Sequence, residues 1–234
     1  MLYYIILGFL GWILFYFIFT SPFFGITKVN IHGNDYLSSE DIFIQAGIEY
    51  QTNLFHFNTK EATRKLLHNP WIDHVSISKG LPGELNIEVI ERQPSLLLVW
   101  NNRFYQANEE GMILLVSAQF SNPYGLYIIS GLDIGMKKPG EIIDCQEYKK
   151  IQDLRKVLEN IFPDQFYKIQ VISADEYLLF YKENDIKVRI ANAEQLIEEW
   201  YLLENALQKV IQEKIPLKEI NMKFEDRLSI VLEE

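Results

Sequence analysis

The sequence predicts an α+β protein in three parts: a single N-terminal transmembrane helix, a β-α-α-β-β unit, and a mixed β-rich region with two helices. Three observations support this prediction. Residues 2–26 carry no charged side chain. Apolar and polar residues alternate in short runs over much of the remaining chain. Apolar residues spaced three and four apart occur in only a few segments. The parts are expected at residues 1–27, 28–94 and 95–234.

The first part has the composition of a membrane anchor. About 20 apolar residues in a helix cover the roughly 30 Å hydrocarbon core of a bilayer, and Ser21-Pro22 is expected to end this helix. The segment lacks the basic start and the small-residue cleavage site of a signal peptide. We therefore favour an uncleaved transmembrane helix. No Lys or Arg precedes it, so the positive-inside rule leaves its orientation open.

The second part begins with a strand and two helices. Val29 and Ile31 alternate with polar neighbours, which predicts a strand. Ser38 and Asn58 each precede an acidic residue by three positions and are expected to cap the two helices. The second helix must end before Pro70, because proline disfavours the helical conformation in the residue before it.

A hairpin is expected to complete this unit. The runs at residues 73–78 and 84–89 alternate between apolar and polar positions, with Asp73 on the same face as Val75 and Ile77. Between them, two glycines are available for any positive φ that the turn requires. Pro94 is expected to mark the domain boundary, because proline removes a donor from a strand ladder.

The third part reads as strands with two helices among them. Strands are predicted within residues 96–100, 103–108, 112–116, 126–131, 166–172, 176–182 and 186–191. The helices are expected at residues 146–161 and 193–213, and we interpret the apolar stripe of the second as core-facing. That stripe consists of Leu196, Trp200, Leu203, Leu207, Val210 and Ile211.

The chain closes with a predicted hairpin around Glu225-Asp226-Arg227. Its last strand is a candidate sheet edge, because no later strand follows to cover it. An exposed edge offers backbone groups that another extended chain can pair with. The alternatives are that this strand lies inside the sheet or is protected by Glu233-Glu234, and the periodicity leaves these possibilities open.

The composition excludes several functional classes. The formal charge of −10 lies entirely after residue 27, which argues against nucleic acid as a partner. Cys145 is the only cysteine, so intrachain disulfides and multi-cysteine zinc sites are excluded. No nucleotide-binding or nucleophile motif occurs. The histidines also lack a metal-ligand spacing; they are His32, His56, His68 and His74. We therefore predict no catalytic, cofactor-binding or metal-binding residue, and no small-molecule substrate.

Two stretches, VNIHGNDYLSSEDIFIQAGI and LHNPWIDHVSISKGLPGELNIEVIERQP, follow the apolar helix and resemble the POTRA domain of the FtsQ/DivIB family of bacterial cell-division proteins. The most specific positions are Val29, Ile31, Gly33, Asn34, Asn69, Pro70, Trp71, Ile72, Leu81, Pro82, Glu91, Arg92, Gln93 and Pro94. The region after Pro94 is similar to the β domain of the family. Asn221 and Lys223 depart from its usual Asp and Arg, and Ala191-Asn192 replace a usual Gly.

The resemblance implies a non-catalytic scaffold of the division machinery, the divisome, that bridges early and late proteins at the septum. It implies a single-pass protein of the bacterial inner membrane, with a cytoplasmic N-terminus and both domains outside. The POTRA domain would make localisation contacts. The β domain would bind FtsB/DivIC-like and FtsL-like partners along its last strand, which here is Leu228, Ser229, Ile230, Val231 and Leu232.

Two other functions are compatible with the sequence. One is a membrane-anchored POTRA-type chaperone or secretion accessory that captures extended client strands, and the other is a membrane-tethered hydrolase with an unrecognised site. POTRA proteins that carry a large transmembrane barrel are excluded, because the residues after Pro94 are too few and include two predicted helices.

Overall fold

The computed structural model describes residues 2–183, 185–213, 215–224 and 227–232. The chain divides into two compact units, Met1–Gln93 and Pro94–Glu234. The first contains α1 (Leu2–Thr20), a 3-10 turn (Pro22–Phe24), β1 (Lys28–His32), α2 (Ser39–Ala46), α3 (Thr59–Leu66), β2 (Ile72–Gly80) and β3 (Glu84–Glu91). The second contains β4 (Leu96–Trp100), β5 (Arg103–Ala107), β6 (Ile113–Ser117), β7 (Tyr127–Ser130), α4 (Gln146–Ile161), β8 (Phe166–Ser173), β9 (Glu176–Tyr181), β10 (Lys187–Ile190), α5 (Ala193–Glu213), β11 (Leu217–Phe224) and β12 (Arg227–Leu232).

The N-terminal helix α1 is apolar and mostly exposed. Across the described residues, no helix combines the length and hydropathy needed to cross a bilayer. The predicted transmembrane anchor at residues 1–27 is therefore not confirmed. The helix itself ends at Thr20, because Ser21 caps the 3-10 turn that follows. Within the predicted anchor segment, Ile26 is fully buried in the core of the first unit.

The first unit is a three-stranded sheet in the order β1-β3-β2, with β1 parallel and β2 antiparallel to β3. The predicted helix caps are confirmed. Ser38 Oγ accepts the N–H of Asp41 at 3.0 Å, and Asn58 Oδ1 accepts the N–H of Glu61 at 3.2 Å. Gly47 ends α2 with a φ of 67°, a conformation that favours glycine.

The β2–β3 hairpin differs from its prediction in two details. A register shift between Ile72 and His74 turns Asp73 outward, so Ile72 is buried in its place. Two residues of the bulged strand β2 then lie opposite one residue of β3. Neither turn glycine adopts a positive φ, and the Leu81–Pro82 peptide bond is cis. Gly83 instead lies against the carbonyl of Gly25, where a β-carbon would not fit.

A buried carboxylate closes the end of the first unit away from this turn. Glu91 accepts the backbone N–H groups of three successive residues, Asp35 (3.2 Å), Tyr36 (2.7 Å) and Leu37 (2.8 Å). Its exposed fraction is 8%. A charged acceptor with several backbone donors is a strong arrangement, so Glu91 fixes the loop after β1 to the end of β3.

Arg92 and Asn69 extend this connection to the start of β2. The Arg92 guanidinium donates to the carbonyls of Pro70 (2.9 Å) and Ile72 (2.6 Å). The side chain of Asn69 accepts the N–H of Trp71 at 3.1 Å. The ring of Trp71 stacks on that of Tyr36 with centroids 3.7 Å apart.

The second unit is a nine-stranded sheet in the order β12-β11-β10-β9-β8-β7-β4-β5-β6. Helix α4 connects the parallel neighbours β7 and β8, and α5 connects the parallel neighbours β10 and β11. Both helices pack on one face of the sheet, where a single core extends from Leu96 to Met222.

The helix faces agree with the sequence in part. The predicted α5 stripe is buried at Leu196, Leu203, Leu207 and Val210. Trp200 is exposed, however, with 40% of its surface accessible, so its assignment to the core is wrong. It lies four residues after Leu196 on the margin of the stripe, where a small helix rotation decides between core and solvent.

Helix α4 also buries polar residues that the pattern did not predict. Gln152 donates to Ser95 Oγ at 2.9 Å, and Tyr148 donates to the carbonyl of Asn108 at 2.5 Å. Arg155 donates to Gln152 at 3.0 Å and to Glu109 at 2.8 Å. These three buried side chains of α4 therefore each have hydrogen-bond partners, as burial of polar groups requires.

We expect Glu91→Ala to destabilise the first unit by about 3 kcal/mol, because it leaves three backbone donors without their acceptor. Urea unfolding of the full chain, with hydrogen exchange at residues 35–37, measures the loss. Glu88→Ala on the exposed face of the same strand is the control and should change stability by less than about 0.5 kcal/mol. Equal stability of the two variants would contradict this role for Glu91.

Candidate functional site

The candidate site is the strand β12 at one end of the nine-stranded sheet. It pairs antiparallel with β11, with Ile230 opposite Ile220 and Ser229 opposite Asn221. In the part of the chain that the structure describes, β11 is its only strand partner. Of the predicted turn, Glu225 and Asp226 lie outside the described residues.

The opposite end of the sheet is covered in part, at the start of β6. There, Ile113 of β6 donates its N–H to the carbonyl of Glu141 at 2.9 Å and accepts the N–H of Gly140 at 2.8 Å. A further bridge joins Met112 and Ile142. The loop around residues 140–142 therefore occupies backbone groups of this edge, in the way that many proteins protect sheet edges.

Side chains on both faces of β12 are partly accessible. Ile230, Val231 and Leu232 expose 49%, 48% and 54% of their surface. Ser229 is exposed, and Leu228 packs against the second core. An apolar strand that ends a sheet is an uncommon feature of a protein surface, because it can pair with another chain. Glu233-Glu234, the residues expected to protect it in one alternative, lie outside the described residues.

An ionic cluster covers the sheet face beside β12. Arg189 of β10 bonds Glu219 of β11 at 2.6 Å and Glu176 of β9 at 2.5 Å. Lys223 contacts the other oxygen of Glu176 at 2.8 Å. Glu219 faces Val231 across the β11–β12 ladder. Hydrogen bonds with Lys223 and Arg189 lower the pKa of Glu176, and those with Glu219 and Glu176 raise the pKa of Arg189.

These features are suited to binding an extended chain. The β12 strand offers backbone donors and acceptors, and half-exposed apolar side chains alternate between its faces. Within the described residues, no group of three His, Cys, Asp or Glu side chains is placed to hold a metal ion. Cys145 lies at the start of α4, where it is partly buried and makes no side-chain capping bond.

The family-signature positions lie in the first unit or at its end, and their contacts are structural. Gly33 has a φ of 81° and lies against the carbonyl of Val89, where a β-carbon would not fit. Asn34 donates to the carbonyl of Leu37 at 2.8 Å. Leu81 is 68% exposed, and Gly33, Pro82 and Gln93 are also exposed. Pro82 lies in the β2–β3 turn, and Pro94 begins the second unit. The Glu91 and Arg92 connections described above involve Asn69, Pro70, Trp71, Glu91 and Arg92.

Comparison with known proteins shows what the chain resembles. Residues 24–92 match the model of the POTRA domain, FtsQ-type. The chain as a whole is similar to the DivIB and FtsQ cell-division proteins. It is 26% identical to the cell division protein DivIB of Clostridium botulinum over 75% of this chain and 69% of that relative. It is 23% identical to DivIB of Clostridium acetobutylicum, over 67% of this chain and 62% of the relative.

A third similar protein is the cell division protein FtsQ of Corynebacterium glutamicum, which is 22% identical over 77% of this chain and 73% of its own length. The matched part of the chain thus spans 62% to 73% of these three relatives. All three relatives are named cell division proteins, which supports a role of this chain in cell division. FtsQ/DivIB-type proteins are generally non-catalytic.

Two of the family departures have structural roles here. Asn192 accepts the N–H of Gln195 at 2.8 Å and so caps the start of α5. Lys223 joins the ionic cluster, and its backbone N–H donates to Asn221 at 3.0 Å. Sequence reasoning did not identify this cluster. The sequence feature that could have indicated the cluster is the alternation of charged residues with buried apolar residues in β10 and β11.

We expect Arg189→Gln to raise the pKa of Glu176, since one of the two cations that stabilise its carboxylate is removed. The contribution of Glu176 to stability should be present above its ordinary pKa of 4.5 and lost as the pH falls through the lower folded-state value. Carboxyl-carbon NMR titration measures this shift. The exposed Arg103→Gln is the control, and an unchanged Glu176 pKa in Arg189→Gln would contradict the assignment.

Proposed function

We propose that this chain is a non-catalytic divisome scaffold that binds FtsB/DivIC-like and FtsL-like proteins along β12. Similarity to cell-division proteins supports the general role. The observation that carries the proposal is the contrast between the two sheet edges: the loop around residues 140–142 bonds the start of β6, whereas β12 pairs with β11 alone among the described residues. Part of one edge is thus protected, and the other is available among the described residues.

In the proposed complex, a short partner segment extends the sheet by one strand. Backbone hydrogen bonds along β12 supply affinity that depends little on sequence. Specificity then comes from side chains that flank the new strand, with Ile230 on the face of the buried Ile220, and Ser229 and Val231 on the face of the ionic cluster. The partner is therefore expected to present apolar side chains toward Ile230.

We also propose that α1 attaches the protein to the cytoplasmic membrane at the septum. This helix has no charged residue, and most of its large side chains expose more than half of their surface, from 53% at Ile6 to 76% at Tyr4. Apolar surface of this extent on a helix requires a lipid or protein environment. Confining the scaffold and its partners to one membrane raises their effective concentration, so a modest affinity is sufficient.

In this scheme the POTRA domain makes the localisation contacts with early division proteins, and the second unit recruits the later ones. The scaffold acts by assembly and needs no chemical step. A membrane-attached chaperone that captures extended clients would use the same edge, so binding of unfolded outer-membrane proteins is measured alongside binding of the partner.

We expect Val231→Pro to abolish binding of the extracytoplasmic region of the FtsB/DivIC-like partner from the same organism. Proline removes a backbone donor and is poorly accommodated within a ladder. Isothermal titration of the full chain in detergent measures binding, and circular dichroism checks the fold. Val231→Thr keeps both the N–H and the β-branch, so it should bind as the wild type does.

Successive residues of a strand direct their N–H groups to opposite edges. If Val231→Pro unfolds the second unit, its N–H belongs to the β11 ladder, and Ile230→Pro becomes the test of the free edge. The edge proposal would be refuted if the proline variant that remains folded, Val231→Pro or Ile230→Pro, bound the partner as tightly as the wild type does. Selective capture of unfolded clients in place of the partner would favour the chaperone.

We expect Leu10→Asp together with Leu14→Asp to prevent α1 from binding lipid, since a charged side chain is costly to bury in hydrocarbon. Both positions are well exposed on the helix. Flotation of the full chain with phospholipid vesicles in a density gradient measures attachment. Leu67→Asp, an exposed leucine after α3, is the control. Flotation of the double variant at the wild-type level would contradict the role of α1.

A further inference from the structure

We propose that the end of the first unit beside α1 is a lipid-contact surface that sits at the headgroup level of the membrane. We call it the collar and define it by the exposed side chains Phe23, Tyr50 and Leu81. The collar rests on the proposed attachment of α1 to lipid. Beyond that attachment, the proposal assigns a membrane-facing end to the POTRA domain itself.

Specific contacts join α1 to the POTRA domain. The side chain of Asn53 donates to the carbonyl of Phe19 at 2.8 Å and to that of Ser21 at 3.3 Å. The ring of Phe55 packs on those of Phe19 and Phe24, with centroids 4.4 and 5.2 Å apart. A domain loop thus satisfies carbonyls that the end of a helix leaves unpaired.

The segment after α1 is hydrogen-bonded into the POTRA domain. The N–H of Ile26 donates to the carbonyl of Thr52 at 2.9 Å, and the carbonyl of Ile26 accepts the N–H of Gln51 at 2.9 Å. Leu54 donates to the carbonyl of Phe24 at 2.8 Å. Because these bonds begin four residues after α1 ends, the helix in lipid holds this end of the domain close to the bilayer.

This end of the domain exposes three large apolar or aromatic side chains. Phe23 and Leu81 expose 70% and 68% of their surface, and Tyr50 exposes 59%. The β2–β3 turn that carries Leu81 is bound to the same segment, because the carbonyl of Gly83 accepts the N–H groups of Thr27 (2.9 Å) and Lys28 (3.2 Å).

Tyr50 precedes Gln51, whose backbone lies against Gly25, so all three collar residues come from chain segments that meet at the base of α1. They are apolar or aromatic, and they continue the exposed apolar surface of the helix. Tyrosine, like tryptophan, is enriched at the membrane–water interface. Lipid is therefore the occupant that fits this surface.

The sheet supplies an internal control. Because β3 runs from Glu84 beside this junction to Glu91, Ile90 lies about 20 Å farther along the strand at roughly 3.3 Å per residue. Ile90 is 58% exposed and apolar, so it matches Leu81 in chemistry but lies toward the other end of the domain.

The test uses the full chain with Cys145→Ser and single spin labels at Phe23→Cys, Tyr50→Cys, Leu81→Cys or Ile90→Cys. Circular dichroism confirms the fold of each labelled protein. Each is bound to vesicles of phosphatidylethanolamine and phosphatidylglycerol, and its collisions with a water-soluble nickel relaxant are measured by electron paramagnetic resonance. We expect a severalfold loss of nickel accessibility at the collar positions on vesicle binding, with Ile90 unchanged.

Quenching of Trp12 by brominated acyl chains, with Trp12→Phe as the blank, reports separately on α1. If Trp12 is quenched while the collar labels behave like the Ile90 label, the collar is overturned and membrane attachment stands. If Trp12 is not quenched, both proposals fail. Protection of all four labels to the same degree would also overturn the collar, since it would show no preferred end.

Discussion

An open β-sheet has two edges, and the organisation of the second unit depends on how each is terminated. Backbone N–H and C=O groups are obligatory hydrogen-bonding groups. Helices α4 and α5 lie on the same face and connect parallel neighbours, so they extend the sheet strand by strand without closing it. At the β6 edge, the residues that precede α4 return to bond Ile113. At the β12 edge, the described chain offers no comparable segment, and the exposed apolar side chains of β12 remain beside unpaired backbone.

In the first unit the hydrophobic core contributes limited stability, because a three-stranded sheet with two short helices has a small core. Buried polar connections add to that core. Glu91 holds the loop after β1 through three backbone donors, while Arg92 bonds carbonyls at the start of β2. Trp71 covers this end by stacking on Tyr36. The positions predicted as the family signature thus mainly stabilise one end of the domain, and they are distinct from the strand proposed to bind partners.

The sequence predicted the elements well because their signals are local. Ser38 and Asn58 cap helices through residues three positions away, and α4 and α5 have the bounds that apolar spacing indicated. Contacts between distant strands were not predictable in this way. The ionic cluster requires Glu176, Arg189 and Glu219 to become neighbours through strand pairing, and Trp200 was misplaced because periodicity cannot set the limits of a buried stripe. The strand β12 was identified as a candidate edge, whereas the loop that covers β6 had no sequence signal.

The ionic cluster has a consequence for how the proposed complex would select its partner. Arg189 bonds two carboxylates and Lys223 bonds one of them, so these cations are engaged within the sheet. A partner charge would have to compete with these short contacts, and exposed ion pairs contribute little free energy. On the opposite face, Ile230 and Leu232 are half-exposed and lie next to the core that Leu228 already joins. Removing apolar surface from water is favourable by about 25 cal/mol per Å², before the free-energy costs of association are subtracted. Selection along β12 would therefore depend mainly on apolar side chains that face the core side, with the charged face limiting the partners that fit.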